Sequence, residues 1–505
     1  MRWAAAVLVC VLQATAAAAP GSGLRFRVSD AATGGPLPCQ LVYTATPGTG
    51  TPRLALVGHN VGRRIGDAVV ANNRIFSATG SGAVPIPPGT YDLWIGRGPE
   101  WTLVWRRIRV TAGAETAVDT ALEHVVDTGA WASADFHVHA TPSGDSVTSL
   151  EARALQAASV GLDVLFSSDH NRVTDYGATI AGRGLGPWLG SGRGYELTTQ
   201  WWGHLGVFPL PASAAGKHHD DLGAPGPSAR RMIEQLRAQM PDLVVMVNHP
   251  LSLSDSYFRN GGLQLDEQRG RPGFTFDFDG FELINGYNPG NYREVPALMR
   301  LWFDLIEQGH LAAAVGNSDS HDLSSARGLA GYPRNWISVD DDHPDRVTPA
   351  DIARGIKARH VMTSTGPFLQ VSAAGKIAGD LVPAEGGRVS VSIDVQAAPW
   401  VSVARVTVFV DGAPAAVYSV APSREVHRFH VDHEVTATRD AYVVVRVDGD
   451  RPLPPIAGEA RAPIPSLAVA NPLFLDVDGN GRFDPAHRRP ISPVARSGRR
   501  PLKPG

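Results

Sequence analysis

The stretch LAAAVGNSDSHD, residues 311–322, passes from an apolar run into asparagine, serine, aspartate and histidine without a lysine or an arginine. Asn, Ser and Asp are frequent in turns, so one interpretation is a turn that follows a buried strand. The other interpretation is a metal site. Asp319 and His321 are two residues apart, and on a strand such residues point to the same face. Motifs elsewhere in the chain decide between the two.

A second same-face pair, His137 and His139, ends the stretch ASADFHVH at residues 132–139. Other titratable side chains also follow apolar stretches, and the full set of candidate ligands is His137, His139, Asp145, His170, Glu196, His204, His249, Asp319 and His321. A single histidine of this kind is most often an ordinary core or surface residue. This set holds six of the 17 histidines, and buried titratable groups need partners. A shared set of cations would supply them.

Length and charge limit the classes of function. The chain has 505 residues, a formal net charge of -3 and a pI near 6.6. This length allows about two to four domains. Because there is no overall basic field, the composition predicts neither a nucleic-acid partner nor binding to an anionic membrane. The oligomeric state cannot be read from these properties.

Residues 1–19 combine one arginine, an apolar run and an alanine-rich end, which is typical of a secretory signal peptide. They predict a secreted or periplasmic mature protein without a transmembrane segment. A lipoprotein that begins at Cys10 is the alternative, but Val9 stands where a small residue is expected. After removal of the signal, Cys39 is the one remaining cysteine. This excludes an intrachain disulfide and a cysteine-rich zinc site.

The remaining chain divides by pattern into four segments. Residues 20–125 are short β-type runs separated by Gly and Pro, which predicts a β-sandwich. The phrases SDAATGGPLP and VPIPPGTYDLWIGRGPEW in this segment resemble carboxypeptidase-regulatory-like or transthyretin-like modules. Residues 366–484 predict a second β-sandwich, and the Pro- and Arg-rich residues 485–505 predict a disordered tail.

Residues 126–365 alternate strand-like and helix-like stretches, which predicts an α/β fold with a parallel sheet or barrel. The polar motifs follow the apolar strands, at the edge where such folds build their sites. In chain order, HxH, an Asp, SDHN, a Glu, GH, NHP and GNSDSH resemble the polymerase and histidinol phosphatase (PHP) superfamily of metallohydrolases. The phrases GNSDSH, YPRNWI and STGPF resemble its secreted branch, which includes carbaryl hydrolase.

The resemblance implies a distorted (β/α)7 barrel that holds two to three divalent ions. One ion would be held by His137, His139, Glu196 and Asp319. A second would be held by His204, His249 and a bridging Glu196. A third would be held by Asp145, His170 and His321. Ligation by nitrogen and oxygen alone suits Zn, Mn or Fe.

The implied chemistry is hydrolysis by water held between two cations, which lower its pKa toward neutrality. The candidate catalytic residues are His137, Glu196, Asp319 and Asp169. Asp169 is expected to orient a ligand imidazole, with a helix cap or turn as the alternative. The chain has no GxSxG motif, which disfavours a serine hydrolase.

Three polar residues near the strand-end motifs are candidates for substrate contact: Asn171, Tyr287 and Arg334. Arg334 would suit a phosphate, although a structural role is an equal alternative for each of the three. Trp201 and Trp202, beside His204, would either wall an aromatic-accepting pocket or belong to the core.

The stretch DVDGNGRFD, residues 476–484, resembles a calcium-binding loop. Its candidate ligands are Asp476, Asp478, Asn480 and Asp484. Position twelve of the motif is His487, where glutamate is expected, so a plain Asp/Gly turn is the alternative.

Together these patterns predict a secreted, metal-dependent hydrolase of small-molecule esters. A phosphoesterase is the first choice, because several cations match the charge of a phosphoryl transition state. Hydrolysis of a carboxyl ester or carbamate on the same ions is the alternative. A non-catalytic binding protein with β-sandwich modules is a second alternative.

Overall fold

The computed structural model describes residues 21–51, 61–222, 228–252, 255–264, 269–458 and 462–485. The predicted signal peptide, His487 and nearly all of the predicted tail lie outside these residues. No helix in the described ranges has the length and apolar character needed to cross a membrane.

Two sheets form the N-terminal part of the chain. Its strands are β1 (Gly23–Asp30), β2 (Cys39–Ala45), β3 (Arg63–Ile65), β4 (Ala68–Ala71), β5 (Arg74–Ser77), β6 (Ser81–Pro85), β7 (Gly89–Gly96), β8 (Val104–Val110) and β9 (Glu115–Leu122). The sheet orders are β6-β1-β9 and β3-β4-β5-β2-β7-β8. Strand β1 alternates buried Leu24, Phe26 and Val28 with exposed arginines, and these apolar residues share one core with the facing sheet.

The middle of the chain carries all six α-helices of the described residues. Its elements are β10 (Trp131–Asp135), α1 (Leu150–Ser159), β11 (Val164–Phe166), α2 (Gly177–Gly182), β12 (Gly190–Gly192), β13 (Tyr195–Thr198), β14 (His204–Phe208), α3 (Ala229–Gln239), β15 (Val244–Val247), α4 (Tyr257–Asn260), β16 (Gly280–Asn285), α5 (Val295–Glu307), β17 (Ala313–Asn317), β18 (Arg334–Ser338), α6 (Pro349–Ala358) and β19 (Val361–Ser364). Short 3-10 helices occupy Thr141–Ser143, Ala212–Ala214, His219–Leu222, Asn291–Glu294, Ser325–Arg327 and Glu385–Gly387.

The predicted (β/α)7 barrel is wrong. The described chain is mostly β, with 40% strand and 17% helix, and its strands form several sheets. The order β13-β14-β15-β16-β17 begins with two antiparallel pairs and ends with two parallel pairs. Strands β13 and β14 form a hairpin, so no crossover helix lies between them, whereas a parallel barrel requires such a connection at each step.

The second sheet of the middle segment continues into the C-terminal part of the chain. The C-terminal strands are β20 (Phe368–Ala373), β21 (Lys376–Ile377), β22 (Leu381–Pro383), β23 (Arg388–Gln396), β24 (Arg405–Val410), β25 (Ala413–Ser419), β26 (His427–Thr436), β27 (Ala441–Pro452), β28 (Pro465–Ala470) and β29 (Leu473–Asp476). One path runs β12-β11-β10-β18-β19-β28-β27-β24-β25. A separate sheet has the order β21-β20-β23-β26.

Two strand ends meet where the candidate ligands lie. Val138, just after β10, forms a parallel bridge with Ser320, just after β17, and the His139 amide donates to the Ser320 carbonyl oxygen at 2.9 Å. A further bridge joins His170, beyond β11, to Glu196 on β13. The fold thus collects the chain segments that follow β10, β11 and β17 around the β13–β14 hairpin.

Candidate metal centre

The structure brings all nine predicted ligands into one cluster. Four overlapping groups have nitrogen and oxygen atoms within 4.8 Å of one another: His139, Asp145, His170 and His321; His137, His139 and Glu196; His137, His249 and Asp319; and His170, Glu196 and His204. The groups share members, so the cluster is continuous. In this arrangement His139 belongs to the group of Asp145 as well as to that of Glu196.

Glu196 lies at the centre of the cluster and is buried. Its Oε1 lies 3.1 Å from His137 Nε2, 3.2 Å from His204 Nδ1 and 3.2 Å from His249 Nε2. Its Oε2 lies 2.9 Å from His170 Nδ1. One carboxylate therefore contacts imidazoles from four different segments of the chain.

The other two carboxylates occupy the sides of the cluster. Asp319 Oδ1 lies 3.3 Å from the Nε2 atoms of both His137 and His139. Asp145 Oδ2 lies 2.8 Å from His321 Nε2 and 3.1 Å from His170 Nε2. Asp145 is the most exposed of the three, so this side of the cluster opens to solvent.

Several buried ring and carboxylate atoms of the cluster make no hydrogen bond. These atoms are His137 Nε2, His139 Nε2, Glu196 Oε2, His204 Nδ1 and His249 Nδ1. Some lie within 3.3 Å of an oppositely charged group, yet their directions are wrong for a hydrogen bond. Unpaired buried polar atoms are rare and costly, and a divalent cation would satisfy most of this set. The donor set fits Zn, Mn or Fe.

In four of the imidazoles the Nδ1 atom contacts an oxygen of a neighbouring residue, and this contact fixes the orientation of the ring. His137 Nδ1 lies 2.7 Å from Glu282 Oε1, and His321 Nδ1 lies 2.9 Å from the Asp319 carbonyl oxygen. The Nδ1 atoms of His139 and His170 contact the hydroxyls of Ser143 and Thr198 at 2.8 and 2.5 Å. Metal-binding histidines usually use one ring nitrogen in this way and offer the other to the ion.

Burial and charge set the pKa values of the imidazoles in opposite directions. Burial lowers the pKa of His137, but the carboxylates of Asp319 and Glu196 more than compensate and raise it well above its ordinary value. Burial and the neighbouring His321 ring lower the pKa of His139 to about 3. Burial likewise lowers the pKa of His170, but its contacts with the carboxylates of Asp145 and Glu196 raise it to about 10.

The carboxyl groups respond to the same contacts. Burial raises the pKa of Glu196, but the imidazoles of His204 and His137 lower it well below its ordinary value. For Asp319, burial raises the pKa, while the neighbouring imidazoles of His137 and His139 lower it well below that value. Both carboxylates are thus held in the charged form that a cation binds.

Three residues of the site have left-handed backbone conformations: His249 at φ 28°, Asp319 at φ 50° and Asn171 at φ 55°. Non-glycine residues rarely adopt positive φ, and each costs of the order of 1–3 kcal/mol. Such strain persists where the surrounding structure imposes it, which is common at functional sites.

A residue missed from the sequence, Arg153 on α1, joins the two ligand-bearing strand ends. Its side chain is completely buried, and Nη2 donates to the carbonyl oxygens of His139 and Ser320 at 2.8 and 2.9 Å. Nη1 donates to the Asp322 carbonyl oxygen at 3.2 Å. Its position in an alanine-rich helical stretch gave no signal of this role.

Asp169 holds the site through the backbone and not through an imidazole. Its carboxylate accepts hydrogen bonds from the Ala140 amide at 2.7 Å and from the Thr174 hydroxyl. Burial raises its pKa to about 6. Asp169 was expected to orient a ligand imidazole. Glu282, the third residue of β16, makes a contact of that kind with His137 instead.

The three predicted substrate contacts lie in different places. Arg334 is 1% exposed and donates to the carbonyl oxygens of Gly331, Gly161 and Val160, so its guanidinium is a structural group. Asn171 bonds backbone groups of Thr198 in the hairpin. Tyr287 is half-buried beside the cluster, with its ring 5.1 Å from that of His321.

The predicted calcium loop is closed by its own backbone. Asp476 accepts hydrogen bonds from the amides of Gly479, Asn480 and Gly481 at 2.8 to 3.1 Å. The Asn480 side chain donates to Asp478 at 3.0 Å and to Asp484 at 2.8 Å. These contacts are those of an Asp/Gly turn, in which aspartate side chains bond nearby amides.

The comparisons with known proteins do not identify a family. No protein-family model matches the chain, and no curated protein matches it. One solved structure to which it is similar is an engineered protein studied by the Northeast Structural Genomics Consortium. The identity is 13%, over 65% of this chain and 81% of that chain, with a TM-score of 0.15. A TM-score this low carries no argument about fold or function.

Proposed function

We propose that the protein is a metal-dependent hydrolase of ester bonds, with phosphoesters as the first choice of substrate. The observation that carries the proposal is the convergence of six imidazoles and three carboxylates, five of whose buried atoms make no hydrogen bond. The order of these ligands along the chain also resembles that of PHP metallohydrolases. The proposal does not depend on the barrel fold of that superfamily.

The residues that would hold the ions are the nine of the cluster. Divalent cations, when bound, supply the positive charge that lowers the pKa of an attacking water and stabilises negative charge in the transition state. The chain fixes the geometry. Asn248 donates to Glu196 Oε1 at 2.9 Å, and Asn285 donates to Asp319 Oδ2 at 3.1 Å. Both carboxylates are thereby oriented before any substrate binds.

An arginine beside the cluster favours an anionic substrate. Tyr287 packs against His321, and Arg327 lies over the same Tyr287 ring, with Cζ 5.8 Å from the ring centroid. The Arg327 guanidinium also contacts the Tyr287 hydroxyl at 3.4 Å. It therefore stands one aromatic ring away from the ligands, where a cation can bind a non-reacting phosphate oxygen.

A second candidate function, hydrolysis of an aryl carboxyl ester or carbamate, is favoured by Trp201. This residue is 63% exposed and lies in the turn of the β13–β14 hairpin, between Thr198 and His204. A side chain this exposed does not belong to the hydrophobic core. Its indole ring offers a flat surface on which an aromatic group can stack.

The test is turnover by zinc- or manganese-loaded protein on a chromogenic phosphodiester beside an aryl carboxyl ester. His137→Ala serves as the inactive control. We expect phosphodiester cleavage that is lost in the variant. Ester cleavage alone, equally lost, would replace the first candidate by the second. Failure of the wild-type protein to bind zinc, manganese or iron would reject both and favour a non-catalytic binding protein.

Replacing Arg327 by glutamine is expected to raise the KM for the phosphodiester about tenfold, equivalent to about 1.4 kcal/mol. The carboxyl ester, which has no negative charge, should be affected much less. Steady-state kinetics on both substrates check this. Arg354→Gln, which removes a guanidinium that pairs with Asp351 on α6, is the matched control. Equal changes for the two substrates would show that Arg327 does not recognise charge.

A further inference from the structure

Glu282, on β16, is a fully buried carboxylate that no sequence motif assigned to the site. Its Oε1 lies 2.7 Å from His137 Nδ1 and accepts a hydrogen bond from Asn317 Nδ2 at 3.0 Å. Its Oε2 accepts from the His249 backbone amide at 2.6 Å and from Asn285 Nδ2 at 2.9 Å. Three of these four neighbours can only donate, and the fourth, His137 Nδ1, is a ring nitrogen that donates in one tautomer and accepts in the other.

We infer that Glu282 is the positioning residue of the metal centre: it sets the tautomer of His137 and couples His137 to His249. The inference rests on the proposed function, because its purpose is to present ligands to an ion. The two oxygens of Glu282 already accept from two asparagine side chains and from the His249 amide, so the geometry favours His137 Nδ1 as a further donor to the same carboxyl group. His137 Nε2 is then the ring nitrogen that remains for an ion, 3.1 Å from Glu196 Oε1 and 3.3 Å from Asp319 Oδ1.

The same carboxylate connects two ligand-bearing segments. Oε1 holds the His137 ring at the end of β10, whereas Oε2 holds the backbone of His249, which has the strained φ of 28°. Asn285 extends the contact to Asp319, since its Nδ2 lies 3.1 Å from Asp319 Oδ2. Three ligands of the cluster therefore depend on one side chain that does not itself point into the cluster.

A glutamine at position 282 would not replace this group. Its amide nitrogen would face two of the four donors whichever way the side chain turned, and its oxygen would bind the Nδ1 proton less strongly than a carboxylate. Loss of such an outer partner typically lowers metal affinity about 10- to 100-fold. We expect an effect of that size for Glu282→Gln.

The experiment compares zinc affinity in wild type, Glu282→Gln and Asp440→Asn by competition with a chromogenic chelator. Asp440 is the matched control: it is also a buried carboxylate that accepts hydrogen bonds, but from the backbone amides of Val477 and Asp484, which belong to no ligand of the cluster. We expect affinity to fall about 10- to 100-fold only in the Glu282 variant. Equal losses in the two variants would overturn the inference and leave the proposed function intact.

Imidazole 1H–15N spectra of the zinc-loaded wild type test the tautomer without a variant. The His137 signal is assigned by its absence in His137→Gln. A proton on Nδ1, strongly deshielded by Glu282, is the expected result. A proton on Nε2 would overturn the inference even if Glu282→Gln failed to fold. Absence of zinc binding by the wild type would reject the proposed function and, with it, the role of Glu282.

Discussion

Replacing Glu196 by glutamine is expected to reduce turnover by more than about 100-fold, the upper end of the effect of an outer partner. Glu196 is the group that contacts His137, His170, His204 and His249 at once. Glutamine has nearly the same shape, but it is neutral and presents an amide nitrogen to imidazoles. The substitution therefore removes the negative charge and one carboxylate oxygen from the centre of the cluster, and it leaves no cavity.

The measurements are metal stoichiometry by mass spectrometry and turnover on the two chromogenic substrates. We expect the variant to bind fewer ions per chain than the wild type. Glu123→Gln, at an exposed position in the N-terminal segment, should match the wild type in both measurements. A Glu196→Gln protein that retained full metal content and full turnover would contradict a shared ligand at this position.

Replacing Arg153 by methionine is expected to lower the free energy of unfolding by about 3 to 5 kcal/mol. The guanidinium holds the carbonyl oxygens of His139, Ser320 and Asp322, and none of these has access to water through the buried site. Each of the three carbonyl oxygens keeps one other donor but loses a hydrogen bond to a charged group, and such a bond contributes roughly 1.5–3 kcal/mol. Methionine fills part of the volume of the arginine side chain but donates no hydrogen bond. The loss of stability therefore comes mainly from the missing hydrogen bonds and less from a change in packing.

Urea unfolding of the metal-free protein, followed by tryptophan fluorescence, measures this effect without a contribution from bound ions. Arg354→Met is the control, because Arg354 is exposed on α6 and its loss should change stability by less than about 0.5 kcal/mol. If Arg153→Met behaved like the control, the contacts of Arg153 with the two strand ends would contribute nothing measurable.

Part of the clustering of the candidate ligands was readable from the sequence, because some of their spacings depend on local geometry. His137 and His139 follow β10, where the chain still pairs with the segment after β17, so their two-residue spacing puts them on one face of an extended chain. Asp319 has a φ of 50°, so the same rule does not account for the pair Asp319 and His321. The helices α1, α3 and α5 lie within residues 126–365, the segment in which the sequence predicts helices alternating with strands. These features require only short-range rules.

The observed arrangement of the sheets could not be predicted, because strand direction depends on contacts between residues far apart in sequence. The motifs at Glu196 and His204 are each preceded or followed by apolar residues, as in βα units, but here they belong to the two arms of one hairpin. For Arg334 the sequence left substrate contact and a structural role as equal alternatives, because nearness in sequence to a site motif does not show which way a side chain points. Glu282 was missed because a single acid within a strand has no distinguishing pattern.

The continuous sheet has a consequence for how the polypeptide can be divided. Strand β19 pairs with β28 across Met362 and Ala470, and the Asn471 side chain bonds both backbone groups of Ala314 at the start of β17. A fragment that ended at residue 365 would leave β19 as an open edge with unpaired amides and carbonyls, which is a template for aggregation. The ligand-bearing strands therefore share their folding unit with residues more than a hundred positions further along the chain.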